Sequence, residues 1–138
     1  MTKYIFFTCI ALFMGLFTKA QTPSYKVVFD MSSKDTVNQQ ALIRELTLIR
    51  QSNPAARMEV VVYGQGLSLV TNEESAPHSA MQKLLTDKDI AFKVCAMTMK
   101  RNNIDKNQLL TGVQVVPDGI YEIVSKQQEG WGYIKVAH

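Results

Sequence analysis

The chain has 138 residues, 46% of them hydrophobic and 20% charged, with a formal net charge of +3. That length suits one domain able to bury a single core, and the composition excludes disordered and fibrous classes. Two of the 15 basic residues, Lys3 and Lys19, fall in a segment expected to be removed, which leaves 13 against 12 acids and no argument for nucleic acid or an anionic membrane as partner.

Residues 1–20 read as a signal peptide. Lys3 gives a positive start, Tyr4 to Phe17 is an almost unbroken apolar run, and Thr18-Lys19-Ala20 places small residues where a signal peptidase reads. Cleavage is expected after Ala20, leaving one α/β domain over residues 21–138. The run is shorter than the ~20 residues of a spanning helix, and no second one follows. Cys9 lacks the Leu and small residues expected before a lipidated cysteine. The mature protein is therefore expected to be exported, periplasmic or secreted, soluble and unattached to membrane.

Along the mature chain, Tyr25 to Met31 is apolar on both faces, the pattern of a buried parallel strand. Ser32, Ser33 and Asp35 offer N-caps for an amphipathic helix over Thr36 to Arg50, which Asn53-Pro54 ends. Met58 to Tyr63 is the second strand, broken by Gly64-Gln65-Gly66, and the apolar run Leu67 to Val70 either prolongs it or forms a short helix. Ser75 and Pro77 open the next helix, with Met81, Leu84 and Leu85 on one face. Ile90 to Cys95 is the third strand, running into a basic turn at Lys100-Arg101, and Ile104 to Leu110 is a short helix that Asn102-Asn103 could begin. Val113 to Val116 is a brief fourth strand. Pro117-Asp118-Gly119 turns into a helix with Ile120, Ile123 and Val124 inward, stopped at Gly130, and Trp131 to Val136 is the last strand. This alternation predicts an α/β layer sandwich with a mainly parallel sheet of five strands.

In such a sheet, ligands bind beyond the carboxyl ends of the strands. That edge collects Asp30 to Ser33, Gly64 to Gly66, the loop to His78, Cys95 to Arg101, and Pro117-Asp118. Without the leader, Cys95 is the only thiol, so no intramolecular disulfide can claim it. It is either a small buried hydrophobe at a strand end or the reactive centre of the edge. His78, Lys100 and Arg101 are candidates to favour its thiolate, and a helix starting at Asn102-Asn103 would push the same way. Asp30 and Gly64 complete the candidate binding set. Each also has a plainer reading: His78 as a surface residue of a first helical turn, Lys100-Arg101 as a solvated turn.

Cys95, Met97 and Met99 place three soft sulfur ligands at alternate positions, which suits copper(I), although methionines at period two are more often core. Gly64-Gln65-Gly66 lacks the contexts of a nucleotide cradle, and HExxH, CxxC and Gly-x-Ser-x-Gly motifs are absent from the sequence. No cofactor and no metal site is expected.

Three segments carry a family resemblance: Phe92 to Ile104 with Val94-Cys95 and Arg101 six positions on, Leu110 to Ile120 with Val116-Pro117-Asp118-Gly119, and Gln127 to Lys135 with Gly130-Trp131-Gly132-Tyr133. Together they resemble the DsrE/DsrF-like family over the mature chain from about Tyr25 onward. The resemblance implies a three-layer, flavodoxin-like fold that assembles as a trimer or hexamer. In the sulfur-relay members a cysteine after the third strand carries a persulfide and passes sulfur to the next protein, which makes Cys95 the candidate acceptor. Sulfur donor or acceptor proteins would be partners. Those members are cytoplasmic, whereas this chain is expected to carry an export leader, so the resemblance implies the fold more strongly than the activity.

Two functions of different class follow. One is a periplasmic sulfur carrier working through a Cys95 persulfide. The other is a non-catalytic oligomeric module that binds a small ligand or a protein at the same crevice. Leu67 to Val70 and Trp131 to Val136 are the expected contact segments of an oligomer.

Overall fold

Every residue of the first strand after Lys26 is buried, which requires covering layers on both faces of the sheet. The structure, a computed structural model, describes residues 24–71 and 78–136. Its elements are β1 (Lys26–Met31), α1 (Thr36–Ser52), β2 (Arg57–Val62), a 3-10 helix (Gly64–Val70), α2 (His78–Leu85), β3 (Ile90–Cys95), α3 (Ala96–Arg101), a 3-10 turn (Lys106–Gln108), β4 (Gln114–Val116), α4 (Gly119–Gln128) and β5 (Gly132–Val136). Residues 1–20, expected to be a signal peptide, and Ser75 and Pro77 lie outside the described residues.

The sheet order is β4-β3-β2-β1-β5 and every neighbouring pair is parallel. The chain therefore walks from β1 to β4 in one direction and then returns past β1 to lay down β5. Right-handed crossovers place α1 and α2 on one face and, once the direction reverses, α4 on the other. This is the α/β, flavodoxin-like sandwich expected.

The first face holds the main core. Val27, Phe29, Met31, Met58, Val60, Val62, Ile90, Phe92 and Val94 point to it and meet Leu42, Ile43 and Leu46 of α1 and Met81 and Leu84 of α2. The second face is thinner, with Val28 and Val61 beneath Ile123 of α4 and Tyr63 beside them. Helix starts follow local chemistry. Asp35 Oδ1 accepts the Val37 N–H at 2.8 Å to cap α1, and Asp118 Oδ1 accepts those of Ile120 and Tyr121 to cap α4.

Several expectations are corrected. The basic segment after Cys95 is helix rather than turn, and Asn102-Asn103 end it: Asn102 is the C-cap and Asn103 takes a left-handed φ of 54°. The helix expected over Ile104 to Leu110 shrinks to Lys106–Gln108, because Leu109 and Leu110 drop into the core. Leu67, Leu69 and Val70 are buried in the first core, so that segment is not contact surface. On α4 only Ile123 is inward. Ile120 and Val124 are 52% and 44% exposed, because the turn holding Gly119 against the sheet rotates them away.

Candidate functional site

Cys95 closes β3 and is also the N-cap of α3, with extended backbone at φ −71° and ψ 120°. A strand passing directly into a helix sets its last side chain at the carboxyl edge, above the N–H groups of the first turn. The residue is 4% exposed. Gly119, the first residue of α4, packs so closely that a Cβ there would stand 3.2 Å from Cys95 Cβ and 3.3 Å from Val61 Cγ1. Asp118 takes up the next two N–H groups of α4 and leaves that of Gly119 for the sulfur.

The neutral thiol makes no regular capping hydrogen bond. It nonetheless ionises more readily than a free thiol. Burial alone would raise the thiol pKa, but the N–H groups of Gly119, Thr98 and Met97 and the Thr98 hydroxyl outweigh it and bring the pKa below its ordinary value of 9.0. Thr98 is itself fixed, since its buried Oγ1 accepts the Gly64 N–H at 3.2 Å. Gly64 reaches that position with φ +57°, a conformation natural to glycine. The loop after β2 and the start of α3 are thus tied together around the thiol.

Asp30 lies on the same face and edge, near the carboxyl end of β1, where the strand order reverses between β1 and β5. It is 4% exposed, accepts the Tyr133 hydroxyl through Oδ2 at 2.6 Å, and leaves Oδ1 without a partner. That hydrogen bond comes first among the causes pushing the Tyr133 phenol up to about 12. Tyr63 stands between Asp30 and the Gly119–Cys95 contact, its phenol raised first by burial and then by Asp30.

Gly64 and Cys95 are therefore drawn together through Thr98, with Asp30 two strands along. Lys100 and Arg101 are not in this group. They are exposed in the last turn of α3, about 7 to 9 Å along its axis from Cys95, where the helix dipole favours cations. His78 begins α2, and its side chain lies outside the described residues. A shared copper site does not form, because helical α3 sends Met99 into the core and leaves Met97 52% exposed.

Sequence reasoning missed Thr98, Gly119, Tyr63 and Tyr133. Gly119 was legible in principle, since Asp118 reads as an N-cap and a glycine directly after it marks close packing. Lys93 was also missed. Two residues before Cys95 on the same face, it donates to Glu59 at 2.9 Å and to Glu122 of α4 at 2.6 Å. This triad pins α4 to β3.

The DsrE/DsrF-like family matches residues 18–136. Among solved structures, the protein of unknown function MTH1491 from Methanobacterium thermoautotrophicum is 31% identical, with a TM-score of 0.75 over 80% of this chain and 98% of that one. The protein of unknown function BT1422 from Bacteroides thetaiotaomicron shares 13% identity and a TM-score of 0.61, over 85% of this chain and 99% of that one. The ychN protein from E. coli shares 12% and 0.63, over 80% and 98%. These last two likenesses are of fold. No curated protein matches the chain.

Proposed function

The chain belongs to the DsrE/DsrF-like family, and on that premise we propose that it is an exported sulfur-handling protein in which Cys95 accepts a sulfane sulfur and passes it on. The observation that carries this reading is the cradle of Gly119, Thr98 and Met97 N–H groups that favours the Cys95 thiolate at the carboxyl edge. The thiolate attacks the outer sulfur of a polysulfide or thiosulfate. A Cys95–sulfur bond forms as the donor's sulfur–sulfur bond breaks, and the shortened polysulfide, or sulfite, leaves with the electron pair. An acceptor thiolate then attacks the outer persulfide sulfur and releases Cys95 as thiolate. The same N–H groups would hold the anionic persulfide as they hold the thiolate.

Mass spectrometry after incubation with polysulfide or thiosulfate tests this. The wild type is expected to gain about 32 Da, one sulfur atom, that Cys95→Ser does not gain. Equal adducts on both proteins, or none on either, sink the carrier reading.

The 4% exposure of Cys95 favours a second reading, in which the crevice binds a small ligand or a partner without sulfur chemistry. It expects a thiol slow to alkylate at neutral pH, and a Cys95→Ser variant that still binds and assembles normally. In either case the chain is proposed to work as a homo-oligomer, a trimer or hexamer, outside the cytoplasm.

A further inference from the structure

At the opposite, amino edge of β2 and β3, a cavity of about 210 Å³ opens on the sheet face that carries α4. It opens at the other end of the strands from the crevice: Ala91 in its lining precedes Cys95 by four residues of β3, about 13 Å, and Lys93, the lining residue of β3 nearest the thiol, by two, about 7 Å. Arg57, Lys88, Gln114 and Trp131 contribute to its walls, and Glu59 and Lys93 also line it.

The lining itself carries four cations, Arg57, Lys88, Lys93 and Lys126, against two carboxylates, Glu59 and Asp89. Lys93 lies between Glu59 and Glu122, Lys126 pairs with Glu129 at 3.1 Å, and Asp89 lies 3.7 Å from Arg50, which Asp87 holds at 2.6 Å. Among the described residues, Arg57 and Lys88 have no carboxylate partner. Arg57 is held instead over the Trp131 ring, 5.8 Å from its centroid, which sets its guanidinium at the cavity wall. Glu59 offers the opposite chemistry. It is 3% exposed and spends one oxygen on Lys93, while Oε1 has no partner. Apolar residues would pack on a sheet face at least as stably as a buried ion cluster, and a buried carboxylate oxygen without a partner calls for a reason.

We propose that this cavity is a second binding site, for a small α-hydroxy or α-amino acid whose carboxylate meets Arg57 and Lys88 and whose hydroxyl or ammonium group meets Glu59 Oε1. A guanidinium fork suits a carboxylate, and a donor group one carbon away would satisfy the unpartnered oxygen. A volume of about 210 Å³, below the roughly 300–1,000 Å³ of sites for drug-sized ligands, suits a compact acid. The proposal stands independently of any chemistry at Cys95.

Trp131 is the only tryptophan in the chain, so its emission reports on this cavity alone. Full-length protein is titrated with glycolate, L-serine and acetate at fixed ionic strength. Glycolate and L-serine are expected to give saturable changes, and acetate, which lacks the donor, to bind about tenfold more weakly. Calorimetry, which is independent of the emission baseline, should show at least that loss in the double variant Arg57→Gln, Lys88→Gln, and also in Glu59→Gln, with Cys95→Ser unchanged. The double variant alters two exposed side chains and keeps the fold. No saturable response, acetate binding as tightly as glycolate, or a double variant that binds like wild type would overturn the proposal.

Discussion

At the scale of single residues, Cys95 is defined less by its own exposure than by Thr98. Thr98 Oγ1 accepts a hydrogen bond from the Gly64 N–H, which leaves its own hydroxyl hydrogen to favour the sulfur. Thr98→Val should leave the Gly64 N–H unpaired at a cost of about 1 to 3 kcal/mol, raise the thiol pKa, and slow alkylation at neutral pH. Thr98→Ser should restore both. A pH–rate profile with iodoacetamide checks this, and a profile unmoved by Thr98→Val would remove Thr98 from the site. Two phenol and thiol shifts also make stability depend on pH, with opposite signs. The Cys95 pKa is lowered, so its contribution is complete above the ordinary 9.0 and is lost as pH falls through the folded value. Cys95→Ala should therefore lose ground to wild type as pH rises toward 9.0. The Tyr133 pKa is raised from 10.0 to about 12, so its contribution is present below 10.0 and disappears as pH climbs toward 12. Urea midpoints of Tyr133→Phe against wild type should converge across that alkaline window.

At the scale of elements, the site depends on how α4 meets the sheet. Gly119→Ala would press a methyl group against Cys95 Cβ and Val61 Cγ1, costing about 1 to 3 kcal/mol and shifting the N–H that faces the sulfur. Thermal denaturation and the thiol pKa should move together in that variant, since one displacement causes both. The other fastening is Lys93 between Glu59 and Glu122. Lys93→Met strands Glu59 as a buried carboxylate, a loss of about 3 to 5 kcal/mol near neutral pH. Burial already raises the Glu59 pKa, and losing Lys93 raises it further. The variant should therefore regain stability on acidification, as Glu59 takes up a proton, and lose it again as pH rises. A melting temperature with no such recovery would mean that α4 is held by Ile123 packing alone. These elements also mark the limit of sequence reading. The strands were legible because buried parallel strands write long apolar runs, and α1 because Asp35 and Asn53-Pro54 bracket an apolar stripe. Around Cys95 the reading failed at α3. Six residues are too few for a helical period to declare itself, and Met97 and Met99 fit a strand's alternation as well as a helix.

At the scale of the whole molecule, the reversal of strand order decides what remains uncovered. Three successive crossovers proceed in one direction and one returns, so among the described residues α4 is the one helix that shields the second face, and β5 is an edge strand. Of this surface the sequence suggests only the β5 part, Trp131 to Val136; the α4 part is not legible there, because apolar residues on a short helix look the same whether they face the sheet or a neighbour. Ile120, Val124 and Tyr121 are 52%, 44% and 72% exposed on α4, and Tyr133 is 42% exposed on the same side of the sheet. Four large apolar side chains at that exposure are more than a solitary small domain usually presents on one side. The homo-oligomer proposed for this chain would cover them, and Leu67 to Val70, buried as they are, would take no part. Light scattering of the mature protein should then give a mass that is a multiple of one chain. Ile120→Glu with Val124→Glu should reduce it to a single chain without lowering helix content, since neither side chain is packed in the core. Glu at Leu69, which is fully buried, should instead unfold the protein. A wild type that scatters as one chain would end the assembly proposal, and an oligomer that survives both α4 substitutions would move the interface to another face.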